Sequence, residues 1–142
     1  GPMLFAQGNA QDPGARFQHA AGPVTLPVSV EVVSEQPLAF AEIIVNGRPT
    51  VNLRPQNERT SEGARRSRWD VDVTVDESAW ICVRAWEDRP NGRFRFAHSA
   101  PWHVDVAGAP VKPRRDERDY LIRRMEDERR RSRDILSAEA LA

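Results

Sequence analysis

Sulfur chemistry and lysine are nearly missing from this chain. Cys82 is the single cysteine in 142 residues, so no internal disulfide forms, and cysteine usage leaves the redox compartment open. On a strand, Cys82 reads as a small buried hydrophobe. Lys112 is the only lysine among 21 basic side chains, an arginine bias of the kind a GC-rich bacterial genome produces. The 21 acidic side chains balance the basic ones, which removes any long-range pull toward nucleic acid or an acidic membrane surface. No apolar run approaches the ~20 residues that cross a bilayer, and none has the form of a signal peptide.

Catalytic signatures are also lacking. The histidines are His19, His98 and His103, with no His-X-His, no His-Glu-X-X-His and no paired cysteines, so the usual zinc spacings are absent. There is no Gly-X-Ser-X-Gly elbow and no glycine loop to cradle a phosphate. A thiolate at Cys82, in the middle of a strand, would be costly. His103 and Asp105 share one strand face, a surface His beside a carboxylate. The chain is therefore expected to contribute no catalytic residue, no metal ligand and no cofactor site. An enzyme would need a pocket gathering His98, His103 and carboxylates.

What is present is a succession of short strands. Residues 79–87, AWICVRAWE, carry Ile81, Val83 and Ala85 on one face and Trp80, Cys82 and Trp86 on the other. A strand apolar on both faces requires cover on both. Its expected partner is 97–106, with Trp102, Val104 and Val106 inward. Residues 24–34 alternate, with Pro27 placing their first part at an edge or bulge. Residues 40–46 lead into Asn46-Gly47, a strong hairpin signal, and return through 49–53. Residues 54–66 have no periodicity and suggest a flexible loop; 69–75 alternate with Trp69, Val71, Val73 and Val75 inward. Arg89-Pro90-Asn91-Gly92 makes the next turn. Strands 2–6 and a brief edge segment at Phe17 complete a mainly β chain, an immunoglobulin-like antiparallel β-sandwich over 1–111.

From 112 to 142 the pattern becomes one charged helix, running from Arg114 to about Ala140 and packed on or projecting from the sandwich. Tyr120, Leu121 and Met125 form one short apolar stripe, Ile135 and Leu136 another. Glu126 with Arg130 and Asp127 with Arg131 stand in the favourable i,i+4 order. The run Arg129–Arg131 resembles a nucleic-acid motif, but the acids around it make a solvated face.

Tryptophans are the remaining candidates for function. Trp69 and Trp102 fall on inward faces. Trp80 and Trp86 share the second face of the central strand with Arg84. They could stack sugar rings, receive the helix, or dock another domain.

The ordered series GPMLFA at 1–6, AEIIVNG at 41–47, SAWICVRAW at 78–86, AHSAPWHVDVAGAPV at 97–111 and RRDERDYLIRRMEDE at 114–128 resembles the carboxy-terminal β-sandwich of CehA/McbA-type metallohydrolases. These are bacterial relatives of the PHP-superfamily (polymerase and histidinol phosphatase) phosphoesterases. The resemblance spans nearly the whole chain. It implies a non-catalytic accessory domain packed against an amino-terminal catalytic barrel, in which His and Asp residues, beginning with His-X-His, hold a divalent metal. None of those ligands is in this chain. The resemblance further implies that GPMLFA continues a strand arriving from the barrel and that His98 contacts the barrel or its substrate. Relatives of this type are often exported, and the compartment is left open. Trp80, Trp86, Arg84 and His98 are thus the candidate interaction residues, and the alternative is a stand-alone carbohydrate- or protein-binding sandwich.

Overall fold

Alternation dictates the first layer. The computed structural model describes residues 1–87, 89, 92–133 and 135. Strand β3 (Val24–Ser34) buries Val24, Leu26, Val28, Val30 and Val32 on one face and turns Thr25, Pro27 and Ser29 outward. It lies antiparallel between β1 (Met3–Gly8) and β7 (Arg65–Val75), and the two-residue β6 (Glu58–Arg59) completes a sheet ordered β1-β3-β7-β6.

The second sheet is ordered β2-β10-β8-β4-β5, from β2 (Arg16–His19), β10 (Trp102–Val106), β8 (Ala79–Glu87), β4 (Leu38–Val45) and β5 (Arg48–Leu53). Strand β9 (Arg95–His98) pairs with the end of β8 that β10 leaves open. This is the strand pattern of the immunoglobulin-like sandwich, ABED facing GFC with an added strand after C. All pairs are antiparallel except β2 with β10, which is parallel. Asn46 and Gly47 both take positive φ, 48° and 81°, as a tight hairpin turn between β4 and β5 requires.

The inner faces meet in one core. Trp102 is fully buried, its indole Nε1–H donating to the Gln11 carbonyl at 3.1 Å. Gly8 lies against that ring: a Cβ there would stand 3.0 Å from it. Trp69 is only partly buried at the margin of the core, with its Nε1–H donating to the Arg54 carbonyl at 2.9 Å.

Pro27 sits beside β7, yet it removes no bond from the β3–β7 ladder, because its backbone groups face the β1 side. Its carbonyl accepts the Asn9 N–H at 2.7 Å, one residue past the end of β1. The N–H and C=O of one strand residue point the same way, so the missing donor also faces the side where the ladder has ended.

Residues 54–66 are ordered, contrary to the expectation of a flexible loop. The Asn57 side chain accepts the Leu38 N–H at 2.8 Å and donates to the Leu38 carbonyl at 3.1 Å, imitating a strand neighbour at the start of β4. The Ser67 hydroxyl accepts both the Gln56 and Asn57 N–H groups, and the Gln56 amide bonds the Arg68 backbone in both directions. Side-chain-to-backbone bonds of this kind leave no hydrophobic period to read.

By its contacts the chain divides into two units, Gly1–Val111 and Lys112–Ala142. The second holds α1 (Arg115–Arg131), in which no residue is buried and Tyr120, Leu121, Ile122 and Met125 are exposed. Glu117 accepts the Arg114 N–H at its start. Asp116 and Glu117 in the first turn and Arg129–Arg131 in the last complement the helix dipole. In the second half of the helix the ion pairs are Asp127–Arg130, Glu128–Arg131 and Arg124–Glu128, in place of the expected Glu126–Arg130 and Asp127–Arg131; in its first half Arg115 and Arg118 both reach Asp119. The helix stops at Arg131, short of the expected Ala140: Ser132 caps it, and the Ile135 N–H turns back to the Ser132 carbonyl at 3.0 Å. The expectation for 134 and 136–140, with Leu136, and part of the turn at 89–92 lie outside the described residues.

Candidate functional site: an aromatic row on the outer sheet face

The core covers β8 on one face only. Ala79, Ile81, Val83, Ala85 and Glu87 are buried, whereas Trp80, Cys82, Arg84 and Trp86 on the other face are half-buried. The double cover expected for this strand is thus incomplete, and its outer face carries the candidate site.

Cross-strand register builds that site. Phe40 of β4 and Phe96 of β9 stand directly opposite Trp86 on either side, so three aromatic residues form one row across three strands. A bulge at Ala39 lets Leu38 and Ala41 both face inward while Phe40 faces out. Phe40 stacks on the indole with ring centroids 4.3 Å apart and planes at 19°; Phe96 tilts toward it at 6.4 Å. Phe40 is 41% and Phe96 60% exposed.

The next row is polar. Glu42, Arg84 and His98 are register partners, and the Arg84 Nε–H donates to Glu42 Oε1 at 2.5 Å. The Arg84 guanidinium carbon lies 4.6 Å from the Trp86 ring centre, a cation–π contact. His98 stacks near Phe96 at 6.2 Å, and its Nδ1 lies 3.1 Å from the Ser99 carbonyl.

Of the residues singled out in the sequence, Trp86, Arg84 and His98 come together. Trp80 does not join them. It lies six residues along β8, roughly 20 Å away at strand rise, opposite His103, with its N–H bonded to Asn46 Oδ1. Phe40 and Phe96 were not singled out. A signal existed: each shares strand parity with a polar neighbour, Glu42 and His98, and so faces outward.

Other reactive groups are already engaged. Asp105 holds Arg16 at 2.7 Å, leaving His103 without that carboxylate as a co-ligand. Burial pushes the Cys82 thiol above its ordinary pKa, partly countered by Arg84, so the thiol stays protonated at neutral pH. Glu87, fully buried, accepts the Arg89 guanidinium through Oε1, and Arg89 also reaches Glu35 at 2.8 Å. Among the described residues no three of His, Cys, Asp or Glu gather as a metal-binding group.

Neither a family model nor a curated protein matches this chain.

Ring faces and edges supply apolar area, and the Arg84–Glu42 pair supplies orientation at its margin. Arginine and aromatic side chains in that arrangement are what interface centres concentrate.

Proposed function

We propose that this chain is a non-catalytic accessory β-sandwich that docks on a neighbouring protein domain through the Phe40–Trp86–Phe96 row. The domain it serves is the amino-terminal catalytic barrel of a metal-dependent hydrolase of CehA/McbA type, whose own His and Asp residues hold the divalent metal. The observation carrying this reading is the exposed row itself, set on the outer face of the strand whose inner face forms the core. A protein surface suits it better than a sugar. Phe40 already stacks on the indole and Arg84 lies over the same ring, whereas a sugar platform needs an open ring face.

Two measurements test the proposal. The coding sequence ahead of Gly1 should encode several hundred residues that include His-X-His; a start codon at Met3 would end the proposal. With that upstream domain in hand, calorimetry should show it binding the 142-residue chain, and Trp86→Ala should weaken the binding roughly 30-fold or more. Unchanged binding by the variant would place the contact elsewhere.

A further inference from the structure

The outer face of the first sheet carries a hollow built by register. Phe5, Glu31 and Arg68 stand side by side across β1, β3 and β7, and Gln7, Ser29 and Asp70 form the next row. Strand alternation turns all six side chains outward. Ser29, the shortest of them, sits on the central strand. Glu31 beside it is drawn toward β7, where it meets Arg66 at 3.3 Å and Arg68 at 2.5 Å. A short side chain next to a diverted one leaves a hollow of about 280 Å³, close to the lower end for small-molecule sites. Phe5 and Gln7 wall it on one side, Arg68 and Asp70 on the other.

The chemistry of these walls selects a ligand class. Phe5 is 57% exposed, and among the described residues no ring or guanidinium stacks on it. That is the open ring face that Trp86 lacks. Asp70 accepts the Ser29 hydroxyl through Oδ1 at 2.7 Å, which leaves Oδ2 to accept from a ligand. Arg68 donates its Nε–H to Glu31 and keeps its Nη groups as donors. Gln7, held by a long 3.5 Å bond to Asp12, adds an amide. Glu31 and Asp70 balance Arg66 and Arg68, so no net charge favours an ion of either sign.

A neutral sugar ring matches this set. The C–H groups on one side of a pyranose carry slight positive charge and pack on the negative face of an aromatic ring. Its paired hydroxyls donate and accept at once, as carboxylate, guanidinium and amide groups together require. Strands β1 and β7 stand about 10 Å apart across β3, a gap that one pyranose with its hydroxyls can bridge. We infer that this hollow binds a neutral saccharide, with one ring on Phe5 and its hydroxyls shared between Asp70 and Arg68. The site lies on the other sheet from the Phe40–Trp86–Phe96 row, so it stands whether or not that row docks a domain.

Titration of the isotope-labelled full chain with cellohexaose, maltohexaose and xylohexaose, three neutral glycans of different linkage or sugar, tests the inference by nuclear magnetic resonance. At least one should give saturable amide shifts at millimolar concentration, confined to Phe5, Ser29, Arg68, Asp70 and their strand neighbours. Phe5→Ala, at an exposed position, should weaken binding on the order of tenfold or more. Asp70→Asn, which keeps the shape and removes an acceptor, should weaken it too. Trp86→Ala should leave it unchanged. No saturable shift with any of the three sugars, shifts centred on the Phe40–Trp86–Phe96 row, or full affinity in Phe5→Ala or in Asp70→Asn would each overturn the inference.

Discussion

Phe40 and Trp86, 46 residues apart in sequence, lie ring on ring across β4 and β8 with centroids 4.3 Å apart. A stacked pair of this kind contributes about 0.5–1.5 kcal/mol beyond its area. Both members remain partly accessible, the feature on which the proposed docking rests.

Trp86→Ala should therefore separate binding from stability. The isolated chain should lose about 1 kcal/mol to urea, as the stacking value implies. Its affinity for the docking domain should fall roughly 30-fold or more, the loss expected of an interface hot spot. Paired denaturation and calorimetry would check this; equal losses in both would make the residue structural.

Trp102 should behave in the opposite way. It is fully buried, so Trp102→Ala should destabilise the sandwich by about 3–5 kcal/mol. Gly8→Ala, whose new Cβ would stand 3.0 Å from that ring, should cost about 1–3 kcal/mol by overpacking. The Gly8→Ala penalty should shrink in a Trp102→Phe background, which equilibrium urea unfolding of the double mutant would reveal.

Acid stability should depend on the cluster at the end of β8. The Arg89 guanidinium holds the Glu35 carboxyl below its usual range, first by a hydrogen bond and then by its charge. A depressed folded pKa means the stabilisation is complete above the ordinary carboxylate range and is lost as pH falls through the depressed value. Glu35→Gln should flatten that acid limb and leave the profile above pH ~6 parallel to the parent's. Guanidinium unfolding at a series of pH values measures it, and an unchanged acid limb would refute it.

Cys82 should be a slow nucleophile. With its thiol pKa raised by burial, alkylation by iodoacetamide at neutral pH should be slower than for a free cysteine. The rate should climb only above the ordinary thiol range, as mass spectrometry of timed samples would show. Labelling at the free-cysteine rate would contradict the burial.

Much of the fold was legible because alternation and turn chemistry are local. Valines at every second position of β3 and β7, and Asn46-Gly47 at positive φ, state their roles within a few residues. Residues 54–66 were not legible, since Asn57, Ser67 and Gln56 hold them through side-chain bonds to distant backbone. The two-sided apolar character of β8 marked its second face as special without naming its neighbours.

Residue order by itself determined which side of each strand is apolar, where the hairpin turns, and that Trp102 belongs inside. Only the tertiary structure decided that Phe40 and Phe96 flank Trp86, that Trp80 stands apart from them, and that Phe5 shares a row with Glu31 and Arg68. Side-chain direction is set by backbone geometry over one or two residues. Adjacency between strands is set by the packing of the whole core, which no short stretch of sequence contains.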